Sequence, residues 1–290
     1  MNAGARPVAT RGQRSRCYVE QERPSQEELL ARSDAATVLR LRQGACLIAK
    51  ARLLAHSMPQ SGAWLTTVPS RRYRLASREH STACRFRLGM PHYALDLQRP
   101  CSACEGATGP FRWHSAICKK LNDRIARHNS QRDVFVASGR AAHKSTVPEQ
   151  VNLIPGTQLR PGDVTISSWR DGRSAAFDFT VVSPFAVAVL ALAADRRGSA
   201  ARHAEDDKDN TYLQLCRQQN LEFVPMAVET CGGWGEAALA AFSRLSVMLA
   251  AVSGRTPSEE LRWMHQRHAV ALQRDNARMM LQRAPEFVPL

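Results

Sequence analysis

The sequence predicts a mixed α/β chain, and three observations carry that reading. Residues 159–166 and 175–182 are runs rich in β-branched and aromatic side chains, separated by Arg170-Asp171-Gly172-Arg173. Asp-Gly between two such runs is a strong hairpin signal. A third apolar run, residues 221–229, follows a stretch of helical periodicity and reads as another strand. Helical periodicity also fills both flanks of this region. At 290 residues there is length for one large or two small domains with a sizeable core.

Composition narrows the function classes. The balance of 40 Lys and Arg against 26 Asp and Glu gives a net charge of +14, which favours a polyanionic partner, nucleic acid above all. Arg supplies nearly all of the positive charge, and its planar fork matches phosphate geometry. The longest uninterrupted apolar run, residues 185–194, is far short of the ~20 residues a span needs, so no membrane partner is expected. The 8 Cys come without a secretory leader pattern and three of them cluster with a His, which makes metal binding a better reading than a disulfide framework.

In chain order, residues 1–24 carry Pro, Gly and Arg without apolar periodicity and are expected to form a disordered basic tail. A helical segment spans residues 25–95. Ser25 is its N-cap with Glu28 three positions on, and Leu29, Leu30, Val38, Leu39, Leu41, Leu47, Leu53 and Leu54 form one broad stripe through residues 25–56. After a break at residues 58–62, a second, Arg-rich helix is expected over 71–88, stopped by Gly89, with Trp64, Leu65, Phe86 and Leu88 in the core.

Residues 96–136 are expected to hold a small metal knuckle and a basic helix. Cys101, Cys104, His114 and Cys118 follow C-x2-C-x9-H-x3-C. Cys pairs at x2 let both thiolates reach one Zn²⁺ at ~2.3 Å, and a His and Cys four apart share one face of a helical turn and complete a tetrahedron. A closed site of this kind is structural. His80, Cys84 and His92 are alternative ligands nearby. The helix read from residue 119 carries Lys119, Lys120, Arg124, Arg127, His128 and Arg132, a ridge suited either to phosphate contact or to plain solvation.

A globular α/β domain follows over residues 140–255, with a first strand expected at 150–154. If Asp171 and Gly172 are the hairpin loop, Arg170 faces Arg173, Asp163 faces Thr180 and Thr165 faces Asp178. Asp163 and Asp178 then become diagonal neighbours on one face, ~7–8 Å apart. Val164, Ile166, Phe177, Phe179 and Val181 fall on the core face. Two carboxylates on one face repel unless a cation or a shared proton intervenes, so the pair suggests a Mg²⁺ or Mn²⁺ site; the plain alternative is a solvated face. In the helix over 200–217, Ala201, Ala204, Lys208, Tyr212 and Leu215 share one stripe, which turns Lys208 toward the sheet. Glu149 is a further candidate ligand and Glu229 a weaker one. Residues 256–290 form a last helix with Thr256 as N-cap, Pro257 at the first position and Glu259 closing a capping box. Leu261, Met264, Leu272 and Met279 make its apolar stripe, and Arg267, Arg274 and Arg278 share another face.

The CCHC cluster, Arg127-His128-Asn129, Arg160-Pro161-Gly162-Asp163 and the Asp178 strand occur in the order found in the C-terminal portion of site-specific non-LTR retrotransposon polyproteins, and the chain resembles that portion over residues 60–285. The resemblance implies a PD-(D/E)xK restriction-endonuclease-like fold, a mixed sheet flanked by helices. It implies nicking of DNA with a divalent metal, element RNA as a further partner, and a nuclear location. Asp163 and Asp178 are the implied metal-holding catalytic pair, and Lys208 and Glu149 are further catalytic candidates read from their positions in the sequence. The pattern departs at Gly162, inserted before Asp163, and at Thr180, where the general motif has Lys; Lys208 is the candidate to replace that amine. No paired-Asp polymerase motif occurs, so reverse transcription is not expected of this chain. The same features also fit a zinc-containing nucleic-acid-binding module without catalysis, or a decayed element fragment.

Overall fold

The central strand sets the architecture, because both of its faces are covered. In β3 (Arg173–Val182), Ala175, Phe177 and Phe179 alternate with Ala176 and Asp178, and all five are buried. Strands β1 (Thr146–Pro148) and β2 (Val164–Arg170) lie antiparallel on one side, and β4 (Glu222–Glu229) runs parallel to β3 on the other, giving the order β1-β2-β3-β4. A parallel partner needs a crossover. Helices α5 (Leu190–Asp195) and α6 (Ser199–Gln218) supply it, with Ala201 and Ala204 of α6 packed on Ala227. The computed structural model describes residues 25–95 and 99–283. Among these residues there are eight α-helices and one four-stranded mixed sheet.

The main core lies on the other face of the sheet. Phe135 of α4 (Asp123–Ala141) and Phe242 of α7 (Glu236–Ser253) meet Phe177, Phe179 and Trp234 in edge-on ring contacts. Such pairs contribute beyond their buried area. Helix α7 is long and apolar enough to cross a membrane by length and composition, but Ala238, Phe242, Leu245 and Leu249 are spent on this core. Helix α8 (Pro257–Arg283) lies against it, with Met264, Leu272 and Met279 buried as the stripe predicted. Its start is the expected box: the Thr256 N–H donates to Glu259 at 2.8 Å, and the Glu259 N–H donates back to the Thr256 hydroxyl at 3.3 Å.

Several boundaries differ from the sequence reading. The helix expected over 25–56 is two, α1 (Gln26–Gln43) and α2 (Leu47–His56), parted at Gly44, where helix propensity is poor. Helix α1 belongs to a separate unit from residue 44 onward; its Ser25–Glu28 box is formed, while Leu39 and Leu41 are exposed. Helix α3 (Ser77–Leu88) starts later than expected, and the Arg71–Arg74 stretch is a loop before it. Gly89 ends α3 in the left-handed region, as expected. Trp64 and Phe86 are buried, whereas Leu65 and Leu88, at the ends of short elements, are exposed. The first strand is residues 146–148 rather than 150–154. The Glu149 N–H still donates to the Asp163 carbonyl at 2.9 Å, and the positive φ of Glu149 and Asn152 then turns the chain out of the strand. The expected basic tail lies outside the described residues.

The hairpin register is also corrected. Arg170 does face Arg173, but Ile166 pairs with Ala175, Thr165 with Ala176 and Val164 with Phe177. Between these points β2 spends residues 167–169 against Ser174 alone, so two extra residues bulge out, with Ser168 at φ 52°. An offset of two keeps every side chain on its face. The ladder ends at Val164–Phe177, and just before it the Asp163 N–H donates to the Phe177 carbonyl at 2.8 Å, which sets the Asp163 side chain beside Asp178 rather than diagonal to it.

Candidate metal centre and carboxylate cleft

Local turns assemble the four knuckle ligands. Residues 101–106 fold back on themselves, with the Glu105 N–H donating to the Cys101 carbonyl and the Cys101 N–H to the Gly106 carbonyl, both at 2.8 Å. Gly106 packs against Cys104 and His114, where a Cβ would stand 3.4 Å from each. A single 3-10 turn at His114–Ala116 then brings Cys118 over His114, its N–H donating to the His114 carbonyl at 2.8 Å. The Sγ atoms of Cys101 and Cys118 are 3.8 Å apart, those of Cys104 and Cys118 3.7 Å, and Cys104 Sγ is 3.1 Å from His114 Nε2. A tetrahedral zinc with Zn–S bonds of ~2.3 Å sets its sulfurs about 3.8 Å apart, so the spacing fits that ion. All four donor atoms lie within 4.8 Å of one another, and this Cys3His cluster can bind a metal such as zinc. Among the described residues no other His, Cys, Asp or Glu group of three or more does so; His80, Cys84 and His92 lie outside it.

The cluster is fastened to the rest of the molecule. Arg283, fully buried at the end of α8, donates to the Lys120 carbonyl at 2.8 Å and pairs with Asp123 at 2.8 Å. The Ser102 N–H donates to the Arg283 carbonyl at 3.3 Å. Burial opposes ionisation of Cys118, but the Lys120 N–H, the Arg283 guanidinium and the neighbouring sulfurs draw its thiol down to about 6.

Asp163 and Asp178 meet on the face of the sheet away from the aromatic core. Gly162 allows the approach, since a Cβ there would stand 2.9 Å from Ala176 Cβ and 3.0 Å from the Phe177 nitrogen. The glycine that departs from the family pattern is therefore required by local packing. Asp163 Oδ2 accepts from the Phe179 N–H at 2.6 Å and from His128 Nε2 at 3.0 Å. Asp178 Oδ2 pairs with Lys208 Nζ at 2.7 Å. Burial pushes Asp178 up and Asp163 pushes it further; Lys208 only partly offsets this, and the carboxyl lies at about 6. Asp163 is also penalised by burial, but His128 and the Phe179 N–H hold it below the usual carboxylate range. The hydrogen bond to Asp163 raises His128 in turn, against the cost of burial.

These groups open into a cleft of about 710 Å³ whose wall includes Lys119, Arg124, Arg160 and Tyr212. Sequence reasoning had placed Asp163, Asp178 and Lys208 together, and they are together. Glu149 lies at the rim instead, its carboxylate held by Arg132 at 2.6 Å with Arg160 at 3.9 Å. His128 had been read as a phosphate contact and is a carboxylate partner; its distance in sequence from Asp163 gave no signal of that. The basic ridge is split. Helix α4 starts at Asp123, after Lys119 and Lys120, and Arg127 turns inward to donate to the Ala116 carbonyl at 3.0 Å and Asn276 Oδ1 at 2.7 Å. Glu229 is no metal candidate either. It accepts from the Ala201 N–H at the start of α6. No protein-family model matches this chain, and a search of curated proteins finds no significant match.

Proposed function

We propose that the cleft is a divalent-metal-dependent nuclease site acting on DNA, in a restriction-endonuclease-like fold of the kind found in non-LTR retrotransposon polyproteins. One observation carries the reading: the Asp163 and Asp178 side chains interact at the start of the hairpin, with the Lys208 ammonium 2.7 Å from Asp178, in a cleft walled by basic residues. The donor set fits Mg²⁺ or Mn²⁺, because both carboxylates keep an oxygen beyond those engaged by His128, Phe179 and Lys208. A bound ion would supply an activated water and charge neutralisation at the attacked phosphate. Lys208 stands where it can hold that water or the developing charge, and His128 fixes the orientation of Asp163. Lys119, Arg124 and Arg160 position the phosphate backbone. Element RNA and a nuclear location belong to the same proposal.

A second reading, a nucleic-acid-binding module without catalysis, is favoured by the internal compensation of the pair: Asp163 already has the His128 ring and Asp178 the Lys208 ammonium within 3.0 Å. One comparison separates the two. Supercoiled plasmid is incubated with the zinc-loaded protein and Mn²⁺, beside Asp163→Ala, Asp178→Ala and Lys208→Ala. The nuclease reading expects metal-dependent nicking that falls at least about 100-fold in each variant, with DNA affinity retained. DNA binding without nicking in the parent protein would leave only the binder.

A further inference from the structure

The outer face of α8 carries a second cleft, unrelated to the carboxylates. Trp263, Arg267, Arg274 and Arg278 fall within ~60° of one another around the helix, roughly opposite His268 and Asn276, which face α4. The loop before α3 is pinned across this face. Arg274 donates to the Arg72 carbonyl at 2.9 Å and the Arg74 carbonyl at 2.8 Å, and Gln266 donates to the Thr66 carbonyl at 3.2 Å. The cleft between loop and helix, about 490 Å³, is lined by the half-buried Tyr73 and by Trp263, which is 41% exposed. The Arg267 guanidinium lies 5.4 Å from the Tyr73 ring centre and 5.5 Å from that of Trp263, and Arg255 lies 5.0 Å from Trp263. A second cleft of about 590 Å³ continues along α8 past Arg71, Arg72 and Arg74. Among the residues walling the two clefts the one carboxylate is Glu79, and Arg278 already holds it at 2.8 Å.

From this arrangement we infer a binding site for single-stranded polynucleotide, with bases stacked on Trp263 and Tyr73 and the backbone laid along the arginines. Aromatic faces interleaved with guanidinium groups suit unpaired bases, whose faces are free to stack; a duplex hides those faces. An acidic peptide would satisfy the arginines but bring no planar face to stack on the rings. The site lies across α8 from the carboxylate cleft and stands whether or not that cleft cuts DNA.

Fluorescence anisotropy of the full, zinc-loaded chain tests it, without added Mg²⁺ or Mn²⁺, using labelled twelve-nucleotide oligo(U), oligo(dT) and a duplex of equal length. Trp263→Ala is expected to weaken single-strand binding roughly tenfold, Trp263→Phe to restore most of it, and duplex binding to stay within about twofold of the parent. Arg262→Gln and Arg71→Gln, both at exposed positions, should each flatten the salt dependence by ~0.7 in log–log slope. Binding of either strand in this pattern supports the site. Unchanged single-strand affinity in Trp263→Ala, an equal loss on duplex, or displacement by poly-glutamate as effective as by poly(U) would overturn it.

Discussion

Asp178 bears the electrostatic cost of the cleft. Burial, and then Asp163, outweigh Lys208 and raise its carboxyl to about 6, whereas an unfolded Asp titrates near ~3.9. Folding therefore takes up a proton in that window. The side chain's contribution to stability is complete below about pH 4 and is lost as pH rises through 6. Asp178→Asn keeps the shape without the ionisation, so it should stabilise the protein by about 1–3 kcal/mol at pH 8 and by almost nothing at about pH 3. Urea midpoints of both proteins without added divalent ion check this; equal midpoints at pH 8 would show that Asp178 ionises freely. Added Mn²⁺ should reverse the order at pH 8, because only the parent keeps both carboxylates. The residues of this site were legible in sequence to the extent that they are local to one hairpin or fall on one helical stripe. Asp163, Asp178 and Lys208 meet those conditions. His128 does not, since only the packing of α4 over the sheet brings it to Asp163.

Some elements were readable because their ends are closed by their own neighbours. Thr256 with Glu259 and the left-handed Gly89 act within a few residues, so α8 and the end of α3 were readable. Helices α6 and α7 begin at Gly198 and Gly235 with no capping side chain of their own, yet α6 matches the helix expected over 200–217 to within one residue at each end; what sequence did not announce is how their starts are held. Glu229 from β4 accepts from Ala201, and Glu205 from α6 accepts from Ala237 at 3.2 Å, contacts that no local pattern announces. The hairpin shows the same limit. Its turn was legible, but the bulge at residues 167–169 was not, because alternation survives an offset of two. The entry to β2 can be tested directly. Gly162→Ala would drive a methyl into Ala176 and the Phe177 backbone, and an overpacked contact of this kind costs about 1–3 kcal/mol. Because the strain falls beside Asp163, nicking should drop more than the loss of folded protein explains. A variant with parental melting temperature and parental nicking would mean that β2 and β3 have room to part.

Across the whole molecule, part of the positive charge faces inward. Arg112, Arg127 and Arg283 are almost fully buried, and each donates to main-chain carbonyls. Net charge read from composition counts these as surface available to a polyanion, yet they are braces. Two of them cross between α8 and residues 101–123: Arg112 donates to the Met280 carbonyl at 2.9 Å, and Arg283 to the Lys120 carbonyl at 2.8 Å. The knuckle is the far anchor for both. A metal held by Cys101, Cys104, His114 and Cys118 would thus fix the last turn of α8 and the approach to α4, which in turn carries His128. Removing it leaves buried guanidinium groups without ordered acceptors, a costly state. The expected composition is one zinc per chain. A zinc-selective chelator, or Cys104→Ser, should lower the melting temperature and speed amide exchange at residues 118–127 and 279–283 well before β3 and β4 are affected, because those strands have their own core. Less than about half an equivalent of zinc in protein made with ample zinc, or exchange at those two segments unchanged by chelation, would show that the cluster closes without an ion.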